Sequence, residues 1–496
     1  GELPDSLLTL ERTLQIEQDL AKKQMQDAEI QGKSEEALGH RAKLLAKEEG
    51  MKQLVRKLEA NYPKYYNFKY QNSTITTKEV QALLPNKETA LISYYLWKGA
   101  AFAMLLTKEK VFLVRLPKYL HEMKPKVDSL RMSLSDYDGL KKNPELAYRQ
   151  FTTHATELYD LLLAPVFDSL GTVQKELKHL IIVPDNILGQ IPFEILLTDD
   201  VGPNQKPYAD LAYLLKKYKV SYTYSVSLLA ENYKNKSQTA PKEMLAFAAS
   251  YGTELIKNTE RGTRQSQLRK VLQALPAVKE EVAGLEKIFA GDFSYEENAN
   301  EKNFVEKASK YKIIHLAMHG LLNEKFPLLS SLAFTENGDS LADNFLEAHE
   351  ISHLNLNAQL VVLSACETGY GKFQQGEGVM SLARSFMYAG VPSLVVSMWQ
   401  VNDASTSLIM QDFYQNLAKG MDKAEALQQA KLNYIAKAEG MAAHPAFWAP
   451  FIQLGDSRPI SVALRSSGMS LWWLGLGLAV VVGAGATAMA MRKRNK

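Results

Sequence analysis

Between Asp5 and Asn61 apolar residues recur at helical spacing in a polar background: Leu7, Leu8, Leu10, Leu14, Ile16 and Leu20, then Ala37, Leu38, Ala42, Leu44 and Leu45, then Leu54 and Leu58. That period predicts two or three amphipathic helices within residues 1–70, punctuated at Gly32-Lys33 and Glu49-Gly50. Their apolar faces need partners, so the segment reads either as the end of a helical repeat array or as a cap on the domain that follows. After Pro63 the period changes. Residues 91–97, 101–107 and 111–116 are β-rich runs with turn-sized gaps, which predicts a meander. A helical stretch follows near 145–166, and 179–183 is a buried strand run ending at Pro184-Asp185-Asn186. Apolar blocks at 244–249, 312–318, 359–365 and 393–398 then alternate with helical patterns near 274–290, 301–310, 376–389 and 404–419. This alternation predicts an α/β fold with a mostly parallel sheet.

Residues 471–491 carry no charge over 21 positions, enough to cross a hydrocarbon layer as one helix. Trp472 and Trp473 stand where an aromatic belt would, and Arg492, Lys493, Arg494 and Lys496 outweigh Arg458 and Arg465 on the other flank. The expectation is a transmembrane helix with its basic tail, 492–496, in the cytoplasm, preceded by a linker at 458–470. Residues 1–457 would then face the other side, which requires an export signal that the chain from Gly1 does not display, so the sidedness stays open. Gly475, Ala479, Gly483 and Thr487 form a small-residue stripe that offers a contact for a homo-oligomer.

The 496 residues suit a large domain with an appendage, or two domains. A net charge of +3 lacks the basic excess that a phosphate backbone demands, so no nucleic-acid partner is expected. Cys366 is the single cysteine, which removes intrachain disulfides and Cys-cluster metal sites together. Its thiol is either an inert core residue or a reagent.

Two apolar blocks run out into reactive residues, one through His315 to His319-Gly320 and the other through Ser364 to Cys366 and Gly369. The carboxyl ends of parallel strands are where sites form, because side chains there leave the core on a rigid support. An imidazole beside a thiol can take its proton or stabilise the thiolate. On that reading Cys366 is the nucleophile and His319 the acid–base, with the amides of Gly320 and Cys366 as an oxyanion hole. A structural cysteine is the competing reading. His315, four residues before His319 on one strand and hence on the same face, is a core histidine or a supporting residue behind the dyad. Glu377 reads as a cap or loop organiser for a helix over 379–389. His349-Glu350-Ile351-Ser352-His353 matches the H-E-x-x-H zinc motif but sits on a short connector into the Cys366 strand. Gly369, Gly371, Gly376 and Gly378 fail the phosphate-loop spacing and read as a substrate loop.

The blocks HLAMHG (315–320), LVVLSACETGYGKFQQGEGVMSLARSFMYAGVPSLVVSMWQVND (360–403), FYQNLAKG (413–420) and HPAFWAPFIQLGD (444–456) resemble the CHAT-domain family of caspase-like cysteine peptidases, often found behind tetratricopeptide repeats. LLPNKETALISYY (83–95) and VPDNILGQIPFEILL (183–197) are similar to its amino-terminal half, so the resemblance spans 75–457. It implies a caspase-like α/β/α sandwich, distantly related to separases and gingipains, with His319 and Cys366 as the dyad. It implies peptide-bond cleavage without metal or other cofactor, on a protein substrate and under control of an activating protein partner. Trp399 and Asp403 would line the substrate pocket, although Asp403 equally suits a helix cap. A latent or scaffold-like domain remains the alternative from another class, and a zinc peptidase through 349–353 the third.

Overall fold

The computed structural model describes residues 5–61, 75–202, 205–234, 240–251, 272, 274–275, 277–323, 330–336, 344–364, 372–374, 378–380, 382–399 and 403–465. The periodic segment at its start forms two helices, α1 (Asp5–Ile30) and α2 (Ser34–Asn61). Gly32, at φ +73°, ends α1 with a left-handed cap: Lys33 N–H bonds Ala28 O at 2.9 Å and Gly32 N–H bonds Glu29 O at 3.2 Å. Gly50 does not break α2. A Cβ there would stand 3.3 Å from Leu14 Cδ2, so the missing side chain lets the two helices approach. The hairpin is antiparallel, burying Leu7 with Leu54 and Leu58 and leaving Leu10, Leu20, Leu38 and Leu45 exposed.

The apolar blocks assemble one large sheet from β1 (Thr89–Leu96), β2 (Ala101–Leu106), β3 (Val111–Arg115), β4 (His179–Val183), β5 (Lys219–Tyr222), β6 (Lys242–Ala248), β7 (Gly291–Tyr295) and β8 (Tyr311–Ala317), with three strands from later in the chain. The short β9 (His319–Leu321), β10 (Ser331–Ala333) and β11 (Phe345–Glu347) make a separate three-stranded sheet. Then come β12 (Leu360–Ser364), a two-stranded ribbon of β13 (Lys372–Gln374) and β14 (Gly378–Met380), β15 (Ser393–Ser397) and β16 (Phe451–Gly455). The large sheet runs β3-β2-β1-β4-β5-β16-β15-β12-β8-β6-β7. Seven of its ten pairings are parallel, so the fold is mixed α/β with a mostly parallel sheet. β4, β12, β15 and β16 are buried along their whole length, which is why the first three read as apolar runs in the sequence.

β16 comes from the last described stretch of chain yet lies mid-sheet, parallel to β5 and antiparallel to β15. A second tie joins the same two halves. Lys431, in the helix Lys423–Lys437, donates to Glu194 Oε1 at 3.1 Å, and the Tyr222 hydroxyl of β5 donates to Glu194 Oε2. All three groups are buried, and burial pushes the Lys431 ammonium down and, with Glu194 adding to it, the Tyr222 hydroxyl well up.

Two sequence expectations change here. The helix read over 379–389 spans Leu382–Tyr388, because residues 378–380 pair as β14; Glu377 lies outside the described residues. The strand carrying His315 does not continue through His319, since the chain bends at Met318 and enters a different sheet. No helix among the described residues is long and apolar enough to cross a membrane, and 471–491 lies outside them.

Candidate active site

Four parallel strands end level with one another. Ala248 of β6 stands opposite Ala317 of β8, Ala317 opposite Ser364 of β12, and Leu363 of β12 opposite Val396 of β15. Shortly beyond those ends come Tyr251, His319, Cys366 and Trp399, two or three residues past their strands in each case. Cys366 itself lies outside the described residues.

His319 opens β9 and is 9% exposed. The Tyr251 ring lies 4.8 Å from its imidazole, tilted by 48°. The Tyr251 hydroxyl accepts the His319 backbone N–H at 2.9 Å and donates to Ala333 O at 2.6 Å, tying the loop after β6 to the rung between β9 and β10. That loop is anchored twice more: Ala249 N–H bonds Ala317 O at 3.1 Å, and Ser250 N–H bonds Thr335 Oγ1 at 2.9 Å.

Gly320 is paired with Leu332. Phe334 N–H bonds Asn344 O and Ala348 N–H bonds Ser330 O, so the even-numbered rungs of β10 face β11. Alternation then makes Gly320–Leu332 a rung without hydrogen bonds, and the Gly320 amide faces the outer side of β9, with which no described residue pairs. An amide on that side beside His319 can donate to an incoming oxygen.

A CHAT domain model matches residues 152–456. The chain belongs to the CHAT-domain family. It is 22% identical over 337 residues to Tetratricopeptide repeat protein 28 of Homo sapiens, covering 60% of this chain and 13% of that protein. The protein of the same name from Mus musculus is 28% identical over 116 residues, 23% of this chain and 5% of that one. The chain therefore spans only a small part of the length of the curated relatives it matches. Among solved structures, the separase–securin complex of Saccharomyces cerevisiae resembles it at 10% identity and a TM-score of 0.45, over 85% of this chain and 34% of that one.

In this CHAT domain His315 is fully buried and faces helices rather than His319. Its Nδ1 stands 3.0 Å from the Tyr414 hydroxyl and its Nε2 3.2 Å from Glu281 Oε1, on the helices Asp403–Ala418 and Val278–Ile288. Trp399 is 1% exposed, and its indole N–H donates to Ala446 O at 3.2 Å, which makes it a fixed wall behind the strand ends. Asp403 is the first residue of its helix, and its side chain lies outside the described residues.

The H-E-x-x-H segment forms the short helix Ala348–His353. A zinc motif needs both imidazoles on one ion, but each takes its own carboxylate: His349 Nδ1 lies 3.3 Å from Glu347, and His353 Nε2 lies 3.0 Å from Asp19 of α1. Ligand atoms of Glu347, His349 and Glu350 do gather within 4.8 Å. Lys23 of α1 already meets Glu347 at 2.7 Å, and Glu350 caps the Glu347 N–H at 2.9 Å. The charge that would attract an ion is partnered within the chain, and the contact docks α1 onto β11. Sequence reasoning missed Tyr251; its only signal is its place just past a buried run, the same signal that singled out His319.

Proposed function

We propose that this chain is a membrane-anchored, caspase-like cysteine endopeptidase acting on a protein substrate. The observation supporting it is the level ending of β8 and β12: His319 follows Ala317 by two residues, Cys366 follows Ser364 by two, and Ala317 and Ser364 are paired. Adjacent strands lie about 4.8 Å apart, so both segments leave the sheet as neighbours. In the reaction, His319 takes the Cys366 proton and the thiolate sulfur attacks the scissile carbonyl carbon. The carbonyl electrons move to oxygen, held by the amides of Gly320 and Cys366. The C–N bond then breaks as His319 gives its proton to the leaving amine. Water, deprotonated by His319, attacks the thioester; the C–S bond breaks and the second product leaves as an acid.

Anchoring rests on the uncharged segment 471–491, with the basic tail in the cytoplasm by the positive-inside bias. One observation favours a latent resting state. α1 touches, through Lys23 and Asp19, the β11 strand and the helix after it, in the same small sheet that carries His319, so a partner binding the hairpin can act on the dyad.

The test is alkylation of the detergent-solubilised full chain by iodoacetamide across the neutral pH range, comparing wild type with His319→Ala. Fast labelling of Cys366 that falls about tenfold or more in the variant supports the dyad. Slow labelling unchanged by the substitution overturns it. Chelators should leave any cleavage intact, and Cys366→Ala should abolish it without unfolding the protein.

A further inference from the structure

The far end of the large sheet carries a surface that the proposed peptidase reading does not use. β3 is the edge strand, and no described residue pairs with its outer side. Thr107 N–H bonds Lys110 O and Leu116 N–H bonds Ala101 O, so the rungs joining β2 to β3 fall on even-numbered residues of β3. The N–H and C=O groups of Val111, Leu113 and Arg115 therefore point outward from the sheet.

The side chains of those three residues share one face. The register continues them across the sheet in rows: Val111 with Leu106 and Leu91, Leu113 with Met104 and Ser93, Arg115 with Phe102 and Tyr95. Leu91 and Leu106 are covered, packed in a small core with Val80 and Leu84 of the preceding segment. The outer positions are not: Leu113 is 72% exposed and Val111 42%, while Tyr95 and Trp97 stack on each other at 6.5 Å and are both exposed. Natural edge strands seldom leave such apolar side chains beside free backbone groups, because the combination recruits another strand.

Charge decides what kind of strand. Lys98, Lys110 and Arg115 are exposed around this edge. The one acidic residue within 108–118, Glu109, is held by Lys87 at 2.5 Å, and Lys118 pairs with Glu122. Among the described residues Arg115 makes no ion pair. A second copy of this chain would set one basic edge against another. We propose that β3 is a docking edge for an extended peptide segment of a partner protein, added antiparallel as the next strand of the meander. On the shared face its alternate residues read acidic opposite Arg115, apolar opposite Leu113 and apolar opposite Val111.

The probe is a fluorescent peptide whose alternate residues are glutamate, leucine and valine with serine or threonine between them, titrated into the full chain and read by anisotropy. Saturable binding is expected. It should weaken about tenfold or more with Arg115→Glu, and recover when that variant meets the same peptide carrying lysine in place of glutamate. Leu113→Glu should abolish binding, while Lys287→Glu, on the helix Val278–Ile288 beside β6 and β7 at the opposite end of the sheet, leaves it intact. Methylating the peptide amides that face β3 should also abolish it, since the ladder needs their protons. Circular dichroism of each variant shows that the fold is retained. Absence of saturable binding, equal affinity for the glutamate and lysine peptides, or indifference to amide methylation overturns the proposal. So does a dimer in sedimentation that the β3 substitutions dissociate, because the occupant would then be a second copy.

Discussion

At the scale of single residues, the groups nearest the candidate dyad are held by hydrogen bonds that can be removed one at a time. Tyr251→Phe keeps the ring against His319 but deletes the hydroxyl that bridges His319 N–H and Ala333 O. The loss should be about 1–3 kcal/mol, since it strips a buried amide of a partner, and chemical denaturation measures it directly. His444 makes a different case. It is fully buried, its Nδ1 accepts the Ala446 N–H at 3.1 Å, and burial lowers its pKa from 6.5 to about 3. The unfolded chain takes up this proton below 6.5 and the folded chain does not until about 3. Stability from this group is thus complete above 6.5 and declines as the pH falls toward 3, by about 1.4 kcal/mol per unit. His179, lowered to about 4 chiefly by burial and then by Lys219, adds to the decline over 6.5 to 4. His444→Asn retains a capping oxygen and removes the titration, so its melting temperature should fall less steeply on acidification; parallel slopes would refute this account. The place of His319 just past a strand end was readable in the sequence because a buried run ends abruptly in His-Gly. Tyr251 was not, because a tyrosine in a polar loop looks the same whether or not it braces a neighbouring strand.

At the scale of elements, most fully buried strands announce themselves and the shortest ones do not. β4, β8, β12 and β15 were legible as mostly apolar runs. β9, β10 and β11 have three residues each, too few for alternation to register, and β7 (GDFSY) is an edge strand with a polar text. β16 was hidden among the aromatic residues that close the helix Pro445–Trp448. The buried Glu194–Lys431 pair explains the glutamate within PFEILL, which sequence alone left without a role. Lys431→Met should cost about 3–5 kcal/mol, because Glu194 keeps its burial and loses its cation; a double replacement, Glu194→Gln with Lys431→Met, should recover most of that. The α1 contact with β11 follows the same rule, since Glu347 is buried. Asp19→Ala with Lys23→Ala should cost about 3 kcal/mol and raise amide exchange in α1 and β11 together, which tests whether the hairpin is docked.

At the scale of the whole molecule, β1, β2 and β3 belong to the same sheet as β8, β12 and β15, and β16 joins the two groups. Removing residues 451–465 should therefore abolish cooperative unfolding by circular dichroism rather than trim a tail. The membrane proposal is tested at this scale as well: the full chain should stay with membranes under alkaline carbonate, and deletion of 471–491 should release it.

The place of β16 also sets a timetable for synthesis. β5 leaves the ribosome on the order of 200 residues before the strand that must lie beside it, an interval of about 10–50 s at ordinary elongation rates. Through that wait β5 lacks its neighbour, and from about residue 397 onward β15 does too, so the growing chain comes to carry two unfinished halves, each with an unpaired strand at its inner margin. A chaperone that shields nascent polypeptides should consequently be needed for yield, and slowing translation just upstream of codon 451 should lower the soluble fraction without changing the folded product.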